Sequence, residues 1–196
     1  MALTDGDSLL AIFRRSGALL EGHFRLSSGL HSNGYLQCAL VLEDPQAAGV
    51  LGALLADRVR HLSPAAVLSP ALGGVIIGHE VARGLGVRAI FAERQDGRLL
   101  LRRGFSLAPG ERVVVVEDVV TTGLSTRETI EVARAAGAEV VGAAALVDRS
   151  GRSASLDVPF VSLLAVDLPT WDPASCPLCG QGLPIVKPGS RTPSVS

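Results

Sequence analysis

The sequence predicts an α/β protein with a mostly parallel central sheet flanked by helices. Three observations carry this reading. Apolar runs alternate with segments patterned at helical spacing. The run Val113-Val114-Val115-Val116 is continuous rather than alternating, which marks a strand covered on both faces. Gly and Pro punctuate the chain where helices should start and stop.

In chain order, Asp7 caps a helix bearing Leu9, Leu10, Ile12 and Phe13 that ends near Gly17. Residues 19–26 read as a short strand and 27–32 as a loop, followed by Tyr35-Leu36-Gln37. Asp44-Pro45 opens a helix with Pro at its first position, whose apolar face is Ala47, Val50, Leu51, Leu54, Leu55 and Val59. Residues 66–68 form a buried strand, 70–74 a tight loop, and the next helix runs to about Gly84. A third strand covers 87–91, a hairpin arm 98–101, and Pro109-Gly110 turns the chain into the valine run. After that run, Arg127, Glu128, Ile130, Val132, Ala133 and Ala136 carry a helical pattern that stops at Gly137. Residues 140–147 and 160–166 are further strands. From Pro169 the chain is rich in Pro, Gly and Ser, and is read as an irregular tail that frays after Arg191. The 196 residues are read as one domain, with 1–40 a distinct N-terminal segment and 170–196 the tail.

Composition narrows the function. A hydrophobic content of 47% supplies a full core, and a net charge of −1 gives no case for non-specific nucleic-acid binding. No basic-plus-apolar leader opens the chain and no apolar run reaches about 18 residues, so a soluble, cytoplasmic protein without a membrane partner is expected. Lys187 is the only lysine among the 18 Lys and Arg residues, so a phosphate-handling cation in the body of the protein must be Arg. Three cysteines make no disulfide framework. Cys176-Pro-Leu-Cys179 has the spacing of half a zinc site, but no second close pair or nearby His follows in the sequence. The pair is read as packed or redox-labile thiols; a zinc shared across a dimer, or held with distant ligands, is the alternative. His23, His31, His61 and His79 show no ligand spacing, and His79, on an apolar helix, is expected to be packed.

The chemistry is concentrated after the valine run. Glu117-Asp118-Val119-Val120 leads into Thr121-Thr122-Gly123-Leu124-Ser125-Thr126 and then a helix. Backbone N–H groups and hydroxyls at a helix N-terminus make a site for a phosphate dianion. Gly123 lets the backbone approach it. Ionised Glu117 and Asp118 accept hydrogen bonds, which suits ribose hydroxyls or a magnesium ion. The plainer alternative is a βα turn with a surface acid pair, but a buried strand rarely ends in adjacent carboxylates without a partner.

This segment resembles the phosphoribosyl diphosphate (PRPP) motif of the type I phosphoribosyltransferases. The resemblance implies that family's fold, with a small N-terminal hood beside the sheet. It also implies that Thr121, Thr122, Gly123, Leu124, Ser125 and Thr126 cradle the 5′-phosphate, that Val119 and Val120 belong to the same PRPP-binding stretch, and that Glu117 and Asp118 clamp the ribose and act in catalysis. Mg2+ is the implied cofactor, carried by PRPP and touching Asp118, with no dedicated protein cage. Ser69-Pro70-Ala71-Leu72-Gly73-Gly74 resembles the short diphosphate loop, so Ala71, Leu72 and Gly73 are implied contacts.

Three further segments are similar to those of the orotate phosphoribosyltransferases. Phe24-Arg25-Leu26-Ser27-Ser28-Gly29-Leu30-His31-Ser32-Asn33-Gly34-Tyr35 is similar to the stretch that lies over the pyrimidine, implying orotate contacts from Ser28 and Tyr35; Ser27 stands where a Lys is common. Asp148-Arg149-Ser150-Gly151-Arg152 resembles a family signature, implying that Arg149, with Thr121, contacts orotate; a guanidinium pairs bidentately with the carboxylate that orotate carries. Residues 93–105 match the position of the mobile catalytic loop, but lack its Lys and His. Arg94 best matches the catalytic cation, and Arg98, Arg102 and Arg103 are the others available. Cys-Pro-Leu-Cys and Lys187-Pro-Gly-Ser-Arg191 resemble the tail of a Thermus-type subgroup. The resemblance implies an enzyme joining orotate to PRPP, giving orotidine 5′-monophosphate and diphosphate in pyrimidine synthesis, as a homodimer that exchanges the loop between sites. A purine phosphoribosyltransferase and a non-catalytic PRPP-binding regulator are the alternatives.

Overall fold

The computed structural model describes residues 6–26, 28–151 and 153–188. Ser27, Arg152 and the segment beyond Pro188, including most of the Lys187-Pro-Gly-Ser-Arg motif and the fraying expected after Arg191, lie outside the described residues.

The central sheet is built from β3 (Ala66–Pro70), β4 (Arg88–Gln95), β5 (Arg98–Leu101), β6 (Arg112–Val120), β7 (Glu139–Asp148) and β8 (Phe160–Ala165). Their spatial order is β5-β4-β3-β6-β7-β8, and only β5 runs antiparallel to its neighbour. The valine run explains the layering. Val114 and Val116 pack with Leu51, Leu55, Ile77 and Val81 from α3 (Pro45–Val59) and α4 (Gly73–Leu85), while Val113 meets Ala133 and Val115 meets Ile130 of α5 (Leu124–Ala135). All four valines are fully buried, each contributing roughly 1.5–3 kcal/mol of transfer free energy. Helix α1 (Gly6–Arg15) buries Leu9 and Phe13 on the α3–α4 side, and the one-turn α2 (Ala39–Leu42) leads into α3.

From β3 the chain goes to β4 on one side; from β6 it goes to β7 on the other. The crevice at the carboxyl ends of β3 and β6 is therefore the topological switch point, where ligands of such sheets bind.

Beside the sheet stands a small hood. Strand β1 (Leu19–Arg25) pairs antiparallel with β2 (His31–Leu36), and β2 with β9 (Thr170–Trp171). The returning chain adds a bridge at Val186, whose N–H donates to the His23 carbonyl at 2.8 Å while its carbonyl accepts from the Arg25 N–H at 2.9 Å. The stretch read as an irregular tail thus carries β9, a 3₁₀ turn at Pro173–Ser175 and the one-turn helix α6 (Pro177–Gly180). Its order comes from main-chain pairing with distant residues, which a Pro- and Gly-rich composition does not disclose. Strand β6 extends beyond the valines through both acids, and β2 begins at His31 rather than near Tyr35. The expectation that His79 is packed is overturned: its side chain is 69% exposed, on the outer face of α4.

Helix α3 starts as expected, with the Asp44 side chain accepting from the Gln46 N–H at 2.9 Å. Asp44→Ala should cost about 1 kcal/mol, and Leu51→Ala, which empties a fully buried position, about 2–5 kcal/mol in urea unfolding. Equal losses would show that the cap, not packing, sets this helix.

Candidate active site

Two strand ends meet at the switch point. Beyond β3 comes Ala71-Leu72-Gly73-Gly74, with the Ala71–Leu72 peptide cis and the Ala71 N–H donating to the Ala92 carbonyl at 2.8 Å. Leu72 is 86% exposed. Gly73 packs so tightly on the neighbouring strand end that a Cβ there would stand 2.6 Å from Asp118 Oδ1. The glycine read as an anion-loop residue is equally what lets this segment rest against the end of β6.

Beyond β6 the chain turns at Gly123, whose φ of +75° suits glycine, into α5. Gly123 at the N-cap brings no side chain, Thr122 Oγ1 accepts from the Leu124 N–H at 3.4 Å, and the first turn of α5 holds no acid, so this helix start has no built-in anion. Arg127 donates to the Thr122 carbonyl at 3.0 Å and steadies the turn.

Glu117 is buried beneath this loop, where Ser125 Oγ and Thr126 Oγ1 donate to its Oε2 at 3.1 and 3.2 Å. These two hydroxyls, expected to face a phosphate, are turned toward the acid. Burial first and the Asp118 charge second push the Glu117 carboxyl up to about 7, against the two hydroxyl donors. Burial also raises Asp118. A desolvated acid pair with no cation partner among the described residues fits a divalent ion, which would relieve both causes.

Arg149 follows β7 on the other side of β6 and is tied to it by its N–H on the Val120 carbonyl at 2.8 Å. Its guanidinium is half-buried and its Nε has no hydrogen-bond partner. Burial lowers its pKa, while Cys38 and Tyr35 pull the other way, so both stand close by. Cys38, missed in the sequence, lies at 3.9 Å from the Asp118 carbonyl, and burial holds its thiol protonated. Tyr35 packs toward Phe24, ring centroids 6.1 Å apart. Ser28 accepts from the Leu30 N–H inside its own turn at 3.4 Å.

The expected catalytic loop is mostly a β-hairpin, β4–β5, turning at Asp96-Gly97. Arg94 pairs with Glu128 of α5 and donates to the Gly97 carbonyl at 2.6 Å. Arg103 pairs with Glu93 at 2.7 Å. The structure thus gathers Glu117, Asp118, Gly73, Tyr35 and Arg149 about one crevice, and leaves Arg94 on an exposed ion pair.

The family model described as the phosphoribosyl transferase domain matches residues 40–175. An orotate phosphoribosyltransferase of Desulforamulus reducens is 54% identical over 185 residues, 94% of this chain and 97% of that one. The chain belongs to the orotate phosphoribosyltransferase family. A solved family structure, the enzyme from Aeropyrum pernix, aligns with a TM-score of 0.65 at 31% identity over 81% of this chain and 93% of that chain. An adenine phosphoribosyltransferase from Thermoanaerobacter pseudethanolicus gives a TM-score of 0.60 at 18% identity over 68% of this chain and 88% of that chain. The fold is common to enzymes for different bases, so base preference rests on the site and on sequence.

The raised Glu117 carboxyl sets a pH effect. Below about pH 4.5 folded and unfolded chains both hold the proton; between there and about 7 only the folded one does, so its stability contribution is lost as pH rises. In magnesium-free buffer, Glu117→Gln should flatten the pH dependence of urea unfolding across that window. An unchanged slope would assign the effect elsewhere.

Proposed function

We propose that the protein transfers the phosphoribosyl group of PRPP to orotate, yielding orotidine 5′-monophosphate and diphosphate in de novo pyrimidine (UMP) synthesis. The observation that carries this reading is Arg149: a half-buried guanidinium with an unpartnered Nε beside the phosphate loop. A buried cation lacking an anion is costly, and a carboxylate-bearing base supplies one where a neutral purine does not.

In this proposal the N–H groups of residues 119–125 hold the 5′-phosphate and residues 71–73 the diphosphate. Glu117 and Asp118 receive the ribose hydroxyls. Thr121 and Arg149 take the orotate edge, Tyr35 and Ser28 its face and rim. Magnesium, bound with PRPP against Asp118, supplies neutralisation of the leaving diphosphate. As the C1–O bond breaks, positive charge develops on the sugar, and the two carboxylates are placed to favour it. Orotate that binds with its ring nitrogen already deprotonated needs no protein base.

Arg94 is the proposed cation for the departing diphosphate. Within one chain it is held by Glu128, an exposed pair that is readily exchanged for a phosphate. This supports a homodimer in which the hairpin is offered to the neighbouring site. Cytoplasmic residence belongs to the same proposal, supported by cysteines that form no disulfide. Among the described residues no helix is long and apolar enough to cross a membrane.

Incubation with PRPP, magnesium and orotate, adenine, hypoxanthine or xanthine should give product with orotate alone; turnover of a purine instead would overturn the reading. Arg149→Ala should raise the orotate KM by about 10–100-fold, the scale of a lost charge-assisted pair. Arg94→Ala should lower kcat on a similar scale with little change in orotate KM, and unchanged turnover would pass the role to Arg98 or Arg102.

A further inference from the structure

The pair Cys176-Pro-Leu-Cys179 was expected to lack nearby histidines, and the fold reverses this. Cys176 stands at the N-cap of α6 and Cys179 within it, and the bridge at Val186 lays this helix against the β1–β2 hairpin. That brings both sulfurs to His23 of β1 and His31 of β2. The ligating atoms of His23, His31, Cys176 and Cys179 all lie within 4.8 Å of one another. We propose that these four residues form a closed structural zinc site that fastens the C-terminal segment to the hood.

The geometry is specific. Zinc bound tetrahedrally by sulfur at about 2.3 Å and nitrogen at about 2.05 Å places S···N edges at about 3.6 Å and the N···N edge at about 3.3 Å. Here Cys176 Sγ is 3.6 Å and Cys179 Sγ 3.7 Å from His23 Nε2, Cys179 Sγ is 3.3 Å from His31 Nδ1, and the two ring nitrogens are 3.1 Å apart. A hydrogen bond between the rings explains one of these contacts; it does not explain two thiols converging on the same point.

The outer contacts agree. His23 Nδ1 lies 2.9 Å from the Leu183 carbonyl, so it carries the proton and Nε2 presents its lone pair to the cluster. This is the second partner that metal-bound imidazoles characteristically have. His23, His31 and Cys176 are buried, and two thiolates balance the charge of one Zn2+. Four protein ligands leave no open position, which makes the site structural rather than catalytic. Soft sulfur with imidazole in a tetrahedron selects zinc over magnesium or calcium.

The hood has reason to need it. A hairpin extended by a two-residue strand is marginal by itself, and β9 and the Val186 bridge add few main-chain bonds. A metal held half by the hairpin and half by α6 fixes the hood that carries Tyr35.

The test is metal analysis of untagged, full-length protein purified without chelators. About one zinc per chain is expected. Cys176→Ser and Cys179→Ser should each cut this to less than about a tenth, whereas His79→Ala, outside the cluster, should keep it. Should the Cys variants fail to fold, cobalt substitution of the wild-type chain decides: visible bands of tetrahedral Co2+ with thiolate charge transfer are expected. Zinc-free protein whose reduced form takes up neither zinc nor cobalt, iron in place of zinc, or a Cys176–Cys179 disulfide in the native protein would each overturn the proposal.

Discussion

The approach of Gly73 to Asp118 is the contact on which the site depends. Parallel strands β3 and β6 bring their carboxyl ends side by side, and the loops that follow must diverge around a ligand without leaving a void between them. A residue with no side chain at 73 lets the segment after β3 rest directly on the carboxylate of Asp118 at the end of β6. Everything that handles charge is arranged from this seam: an acid pair on one strand, the acid-free start of α5, and an arginine on the next strand over. The sheet places an acid pair and a guanidinium at neighbouring strand ends without pairing them, which is how a site stays ready for a multiply charged substrate.

The acid pair shows the cost of that arrangement. Glu117 is desolvated and crowded by Asp118, yet two hydroxyls of the following helix point at it. Ser125 and Thr126 therefore orient the Glu117 carboxyl group. The phosphate loop and the acids are one hydrogen-bonded unit, so a change at either hydroxyl acts on both.

Much of this was legible in the sequence because it is local. The valine run, the acid pair and the Thr-Thr-Gly turn are contiguous, and strand, acids and helix start follow one another in the fold as in the chain. The Pro45 helix start after Asp44 and the hairpin arm at 98–101 were legible for the same reason. What stayed hidden depends on residues far apart. Cys38 reaches Asp118 from a segment with no motif of its own. Helix α4 is apolar in composition, but its amphipathic turn leaves His79 outside. The order of residues 170–186 comes from pairing with the first hairpin, and no spacing rule connects His23 and His31 to a Cys pair at the other end of the chain. The clue that was present, two histidines flanking a hairpin turn, points to cross-strand neighbours only once the turn is known.

The bridge at Val186 carries a consequence for how the protein is made. Cys176 follows His23 by 153 residues, so the first hairpin leaves the ribosome long before the strand and helix that complete its sheet exist. Strand β8 ends at Ala165, ahead of Cys176 by roughly 0.5–2 s at ordinary translation speeds, still long enough for the valine-built sheet to collapse first. Biogenesis thus runs from the middle outward: the central sheet is assembled first, and the hood is the final piece to settle.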